Sequence, residues 1–243
     1  ADDNLTCEEA ITYAAAPVSL SYTNNAGTGV CLIAGQVTGV IAANYTECGG
    51  TITQTWTFTD NCGREIQHIQ TITVEPAPVA AFVTPPADDN LTCEEAITYA
   101  AAPVSLSYTN NAGTGVCLIA GQVTGVIAAN YTECGGTITQ TWTFTDNCGR
   151  EIQHIQTITV EPAPVAAFVT PPADDNLTCE EAIAYAAAPV NLSYTNNAGT
   201  GVCLIAGQVM GVIDANYTEC GGSITQTWTF TDNCNRPDRK SVV

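Results

Sequence analysis

Hydrophobic positions along this chain alternate with polar ones in short bursts. Between Thr51 and Asp60, Ile52, Trp56 and Phe58 fall on one face, and Thr51, Thr53, Thr55, Thr57 and Thr59 on the other. A period of two predicts a half-buried strand, with Gln54 interrupting its apolar face. Ile66–Val74 alternates again after a tight "DNCG" turn, which predicts a strand returning antiparallel. Val18–Thr23 and Val30–Ala34 flank "NNAGTG" and predict a hairpin. "PVAAFVTPP" before "DNLTC" predicts an opening strand broken at Pro-Pro. "CEEAITYAAAP" is short and closed by Pro17, and is read as strand or turn. Short strands with Gly, Asn and Pro between them predict an all-β sandwich.

The whole pattern repeats. Residues 1–86 recur unchanged as 87–172, and a third copy starts at Ala173. The third carries Ala184 for Thr12, Asn191 for Ser19, Met210 for Thr38, Asp214 for Ala42, Ser223 for Thr51 and Asn235 for Gly63. A unit of 86 residues is domain-sized and too long for one solenoid coil. Near-identical tandem copies are rare in enzymes and frequent in fibres, stalks and adhesins, where length itself is useful. "EPAP" at Glu75–Pro78 reads as a short stiff linker. The expected domains are therefore 1–76, lacking its first strand, 77–162, complete, and 163–243, lacking its last strand. Open sheet edges at both ends imply a segment of a longer array, or a subunit completed by strands from its neighbours. The tail Asp238–Val243 departs from the repeat, holds the only lysine, and matches one reading frame of a common sequencing-adapter oligonucleotide, so it is expected to be foreign to the repeat.

Cysteine placement points to an oxidising compartment. Each copy holds four cysteines at fixed positions, the first set being Cys7, Cys31, Cys48 and Cys62. With no C-x2-C knuckle in the chain, these read as disulfides rather than a metal site. The Trp strand holds Cys48 and Cys62 roughly 25–30 Å apart, well beyond the reach of a disulfide. Threading the strands up and down favours Cys7–Cys48 and Cys31–Cys62, one staple at each pole. The same scheme gives Cys93–Cys134 and Cys117–Cys148, then Cys179–Cys220 and Cys203–Cys234. The competing arrangement joins neighbouring domains or chains through one pair. Outside the tail the repeats lack lysine, so Lys–Asn isopeptide bonds are impossible and disulfides must supply the covalent reinforcement.

"TWTFTDNCG" followed by "IQTITV", with the four-cysteine set, resembles the Ig-like, hyalin-repeat-type domains that occur in tandem in long surface adhesins of Bacteroidota, including those linked to gliding motility. The resemblance covers the whole repeat. Asn235 departs from the glycine of the turn, but asparagine tolerates the positive φ that such a turn needs. The resemblance implies tandem Ig-like sandwiches, secretion to the cell surface and a structural or adhesive role, with no catalytic residues.

Charge and candidate chemistry narrow the picture. Five Lys and Arg against 24 Asp and Glu give a net charge of -19, which argues against nucleic acid and anionic membranes as partners. No apolar run is long enough to span a membrane. His68 and His154 lie in the return strand and read as strand side chains, not general bases. Asp2, Asp3 and Asp60 cluster in loops and are the candidate calcium ligands, against solvated loops and turn caps as the plain reading. Asn4, Asn44, Asn90, Asn130, Asn176, Asn191 and Asn216 stand in N-x-Ser/Thr sequons and are candidate glycan sites. Together these features predict a structural subunit or segment of an extracellular bacterial fibre whose partners are copies of itself, met head-to-tail or through strand donation. The alternative is an adhesin stalk whose repeats bind glycans or calcium.

Overall fold

A computed structural model describes residues 4–242. Each copy runs through the same elements. In the first these are the helix Cys7–Ala14, a hairpin of Ser19–Thr23 and Ala34–Thr38, the Tyr strand Val40–Thr46, the Trp strand Gly49–Thr59 and the return strand Glu65–Val74. The second has Cys93–Ala100, Ser105–Thr109 with Ala120–Thr124, Val126–Thr132, Gly135–Thr145 and Glu151–Val160. The third has Cys179–Ala187, Asn191–Thr195 with Ala206–Met210, Val212–Thr218, Gly221–Thr231 and Pro237–Val242. Strands dominate, so the fold is all-β as expected, and disulfides staple it.

The Trp and return strands pair antiparallel from Gly50↔Val74 to Thr59↔Glu65. The turn between them is held by Asp60, whose carboxylate accepts from the Cys62 and Arg64 N–H groups at 2.8 and 2.9 Å. Gly63 sits there at φ 77°, and Asn235 takes the equivalent place at φ 60°, as its tolerance of the left-handed region allows. Gln54, the interruption of the apolar face, is fully buried and hydrogen-bonded. It accepts from the Tyr13 hydroxyl at 2.5 Å and donates to the Val18 carbonyl at 3.2 Å. A side chain at Gly39 would come within 2.5 Å of that amide, so glycine is required there.

Three local expectations change. "CEEAITYA" is an α-helix, because Thr6 and Glu9 close a capping box on its first turn. Cys7 and Ala10 then lie three residues apart on its buried face. The hairpin's second strand is Ala34–Thr38 rather than Val30–Ala34. The Asn24 amide accepts from Ala26 and Ile33 and donates to the Cys31 carbonyl, gathering "VCLI" into the loop. A further strand, the Tyr strand Val40–Thr46, pairs antiparallel with the Trp strand.

The domain boundaries also change. Packing divides the described residues into two compact units, not three consecutive sandwiches at 1–76, 77–162 and 163–243. One takes in the chain up to Pro85 with Ser105–Gly125 and Trp142–His154. The other takes in Pro86–Val104, Val126–Thr141 and the chain from Ile155 on. The Trp and return strands of the second copy therefore contribute residues to both. Each unit has a core drawn from two successive copies. In the first, Ile52 and Ile72 of copy one share a cluster with Cys117 and Ile119 of copy two. In the second, Ile138 and Ile158 share one with Cys203 and Ile205. The second unit adds a small sandwich core in which Leu192 packs on Trp228.

The "EPAP" segment is correspondingly not a free spacer. Ala77 and Ala80 are buried in the first core. Ala77 N–H donates to the Glu47 carbonyl at 2.8 Å. Ala81–Phe82, the expected opening strand, pairs antiparallel with the second copy's hairpin, Ala81↔Thr109 and Phe82↔Tyr108.

Candidate functional site: the junction between successive repeats

The junction is where the chain concentrates its covalent and charged interactions. Cys7 bonds to Cys117 and Cys48 to Cys148, with Cα separations of 5.8 and 5.3 Å. Cys93 bonds to Cys203 and Cys134 to Cys234 with the same separations. Every bridge thus joins one copy to its successor. This corrects the pairings expected within a copy, Cys7–Cys48, Cys31–Cys62, Cys93–Cys134, Cys117–Cys148, Cys179–Cys220 and Cys203–Cys234. The polar separation imposed by the Trp strand holds, and Cys48 does not bond to Cys62. Cys7, at the start of the helix, and Cys48, just before the Trp strand, instead both face the following copy. Its hairpin loop supplies Cys117 and its "DNCG" turn supplies Cys148. The Cys7–Cys117 bridge is buried, with both residues 1% exposed. The Cys48–Cys148 bridge lies nearer the surface.

Hydrogen bonds accompany each bridge. Beside the first, Gly113 N–H donates to the Glu8 carboxylate at 2.8 Å. Beside the second, the Asn147 amide donates to the Glu47 carboxylate. Arg150 donates through Nε to Asp146 at 2.7 Å and through Nη1 to the Ala77 carbonyl at 2.6 Å, tying the turn to the linker. The second unit repeats the set: Gly199 with Glu94 at 2.8 Å, Asn233 with Glu133 at 2.6 Å, Arg236 with Asp232 and with Ala163.

These contacts set the local electrostatics. The Asn147 hydrogen bond holds the Glu47 carboxyl below its usual range. Burial pushes the Asp146 carboxyl up, but hydrogen bonds from the Arg150 backbone and guanidinium, with its charge, outweigh burial and leave the group below the usual aspartate range. Asp232 is held down in the same balance. The Glu9 carboxylate is lowered by its bonds to the Thr6 backbone and hydroxyl in the capping box.

The other candidate residues are not brought together. Asp2 and Asp3 lie outside the described residues. Asp60 is occupied as a turn cap, its second oxygen taking Arg64 Nε at 2.7 Å. In the second copy Asp88 accepts from Thr157 N–H and Asp89 from Asn90 N–H, both at 2.8 Å. Among the described residues no group of three or more His, Cys, Asp or Glu is placed to hold a metal ion. His68 and His154 lie on the return strand, tilted against Trp56 and Trp142 at 5.6 and 5.7 Å between ring centroids. The sequon residues Asn4, Asn44, Asn90, Asn130, Asn176, Asn191 and Asn216 are all exposed. No described helix is long and apolar enough to cross a membrane. The polar junction contacts of Glu8, Glu47, Asn147 and Arg150 were missed from sequence. Their local signal is a charged or amide residue beside three of the cysteines, Glu8 after Cys7, Glu47 before Cys48 and Asn147 before Cys148, whereas Cys117 stands between Val116 and Leu118.

Comparison with known proteins adds little. No family model matches the chain, and no curated protein matches it. Among solved structures, a calcium-stabilised adhesin by which an Antarctic bacterium binds ice is similar at 15% identity, over 98% of this chain and 69% of that one, with a TM-score of 0.20. So low a score leaves function to be argued from the chain's own residues. Those residues define a class: an all-β tandem-repeat protein whose successive copies are stitched together by disulfides.

Proposed function

We propose that this chain is a structural segment of an extracellular bacterial surface fibre built from disulfide-stitched, Ig-like repeats. The observation that carries this reading is the direction of the bridges, each of which ties a copy to the next. A bridge within a domain stabilises that domain alone. A bridge between copies also prevents their separation, a property that matters to a fibre under load and little to a soluble binder. Bridges of this kind persist in oxidising surroundings outside the cytosol. The resemblance to hyalin-repeat-type domains of Bacteroidota surface proteins agrees with this setting. The role is non-enzymatic, and the exposed threonines of the Trp strand and the sequon asparagines are surface positions. Electron microscopy of native material, with and without reductant, tests the reading. Continuous thin fibres that fall apart on reduction are expected. Short free rods that never join, unchanged by reductant, would contradict it. Loss of fibres with chelator but not with reductant would transfer the structural role from disulfides to calcium.

A further inference from the structure

The bridges change the route by which tension passes from copy to copy. The second copy is bonded on both sides. Cys117 and Cys148 hold it to the copy before, and Cys93 and Cys134 to the copy after. A pull entering at Cys117 leaves at Cys134 through residues 117–134, or at Cys93 through 93–117. A pull entering at Cys148 leaves at Cys134 through 134–148. Fully extended, these segments span roughly 50–85 Å, against about 300 Å for the 86-residue copy followed along its backbone. Residues 117–148 are also mostly strand already, as Ala120–Thr124, Val126–Thr132 and Gly135–Thr145. A strand rises about 3.3 Å per residue, close to the limit of the chain, so it has little length left to release. The peptide links between copies, with both "EPAP" segments at 75–78 and 161–164, lie in loops that the bridges bypass.

We propose that the bridges, not the peptide links, carry tension along this chain, and that they hold it to a nearly fixed length even when its cores unfold. A tandem array without such bridges lengthens by a whole domain each time one unfolds. Here an unfolded second copy stays bonded to both neighbours. Its return strand and linker sit in loops that bear no load. The role under load rests on the fibre reading, whereas the length limit rests on the bridge pattern alone.

The same pattern ranks the four bridges for a pull between the two ends. The shortest covalent route is 1–7, the Cys7–Cys117 bridge, 117–134, the Cys134–Cys234 bridge and 234–243. Cys48–Cys148 and Cys93–Cys203 lie off this route. They take up the load when one of the other two is missing.

Single-molecule pulling of the full chain from residues 1 and 243, with the exposed Cys31, Cys62, Cys179 and Cys220 alkylated beforehand, tests the proposal. Completely unfolded, the unaltered chain is expected to extend to about 120 Å, including the Cα separations of 5.8 and 5.3 Å across its two bridges. Reductant is expected to raise this about sevenfold, to about 850 Å. C7A/C117A leaves the route 1–48, 134–148 and 234–243, and C134A/C234A leaves 1–7, 93–117 and 203–243. Each is expected to roughly double the oxidised length, to about 250 Å. C48A/C148A and C93A/C203A are expected to leave it unchanged. Every length is read after complete unfolding, so a less stable variant gives the same reading. An unaltered oxidised chain that extends to several hundred Å would overturn the proposal, as would equal lengthening in all four variants. Failure of the fibre reading would show in microscopy as free rods and leave these lengths as they are, so the two fail separately.

Discussion

Two hairpins of identical sequence, Ser19–Thr38 and Ser105–Thr124, meet different fates in this molecule. Both fold, with the same register and the same loop held by an asparagine amide. The second gains a third strand, Ala81–Phe82, and a disulfide to the preceding helix. Asn110 can then also reach the Pro78 carbonyl at 3.2 Å. The first has neither strand nor bridge among the described residues, and Leu20, Val30 and Cys31 stay exposed. Local sequence therefore fixes the shape of the element, and the neighbouring copy fixes its burial. The packed core is built at the junction rather than within one repeat, and in linear arrays much of the stability lies at such interfaces.

This comparison can be broken by paired substitutions. The largest effect is expected from removing the buried bridge. Replacing Cys7 and Cys117 together by alanine frees a loop of about 110 residues, which the chain-entropy model values at about 4–5 kcal/mol. Replacing the free Cys31 should change stability by less than about 0.5 kcal/mol. Denaturant titration followed by tryptophan fluorescence reads both, since Trp56 and Trp142 belong to this unit. Equal losses at the two sites would remove the distinction between closed and open junctions. A smaller effect is expected from leucine truncation. Leu106→Ala should cost about 2–3 kcal/mol and Leu20→Ala less than about 1 kcal/mol, although the two residues have identical sequence neighbours.

The smallest expected effect is on pH dependence. The Asp146 carboxyl titrates lower in the folded chain than in the unfolded one, because its bonds to Arg150 outweigh burial. Its contribution is therefore full above the ordinary aspartate range and is lost as pH falls through the lowered folded value. Denaturant midpoints measured from neutral pH down to strongly acidic should decline in that window. Asp146→Asn should be less stable at neutral pH and show a shallower acid decline. An unchanged acid slope in the variant would remove Asp146 from the account.

How much of this was legible in the sequence varies by element for physical reasons. The Trp and return strands announced themselves because their pairing and burial are local and obey a period of two. The helix was readable as well, since Thr6 and Glu9 spell a capping box, but eight residues before a nearby proline carried too little periodicity to outweigh the β pattern around them. Gln54 looked like a flaw because its partners, the Tyr13 hydroxyl and the Val18 carbonyl, are 41 and 36 residues away. The bridges were the least legible. Strand length excluded Cys48–Cys62, but when copies are identical no local pattern tells a partner in the same copy from one in the next. Only the docking of the hairpin loop on the helix, and of the "DNCG" turn beside Glu47, decides it.

Tryptic digestion without reduction tests the central claim most directly. Trypsin cuts after Arg64, Arg150, Arg239 and Lys240, while Pro237 shields Arg236, so the cysteines are divided among three large fragments, 1–64, 65–150 and 151–239, and residues 240–243 are released without a cysteine. With bridges running from copy to copy, all three fragments should remain one covalent species under denaturing, alkylated, non-reducing conditions, and separate only when reductant is added. Three free fragments before reduction would mean that the bridges close within each copy, and would contradict the account.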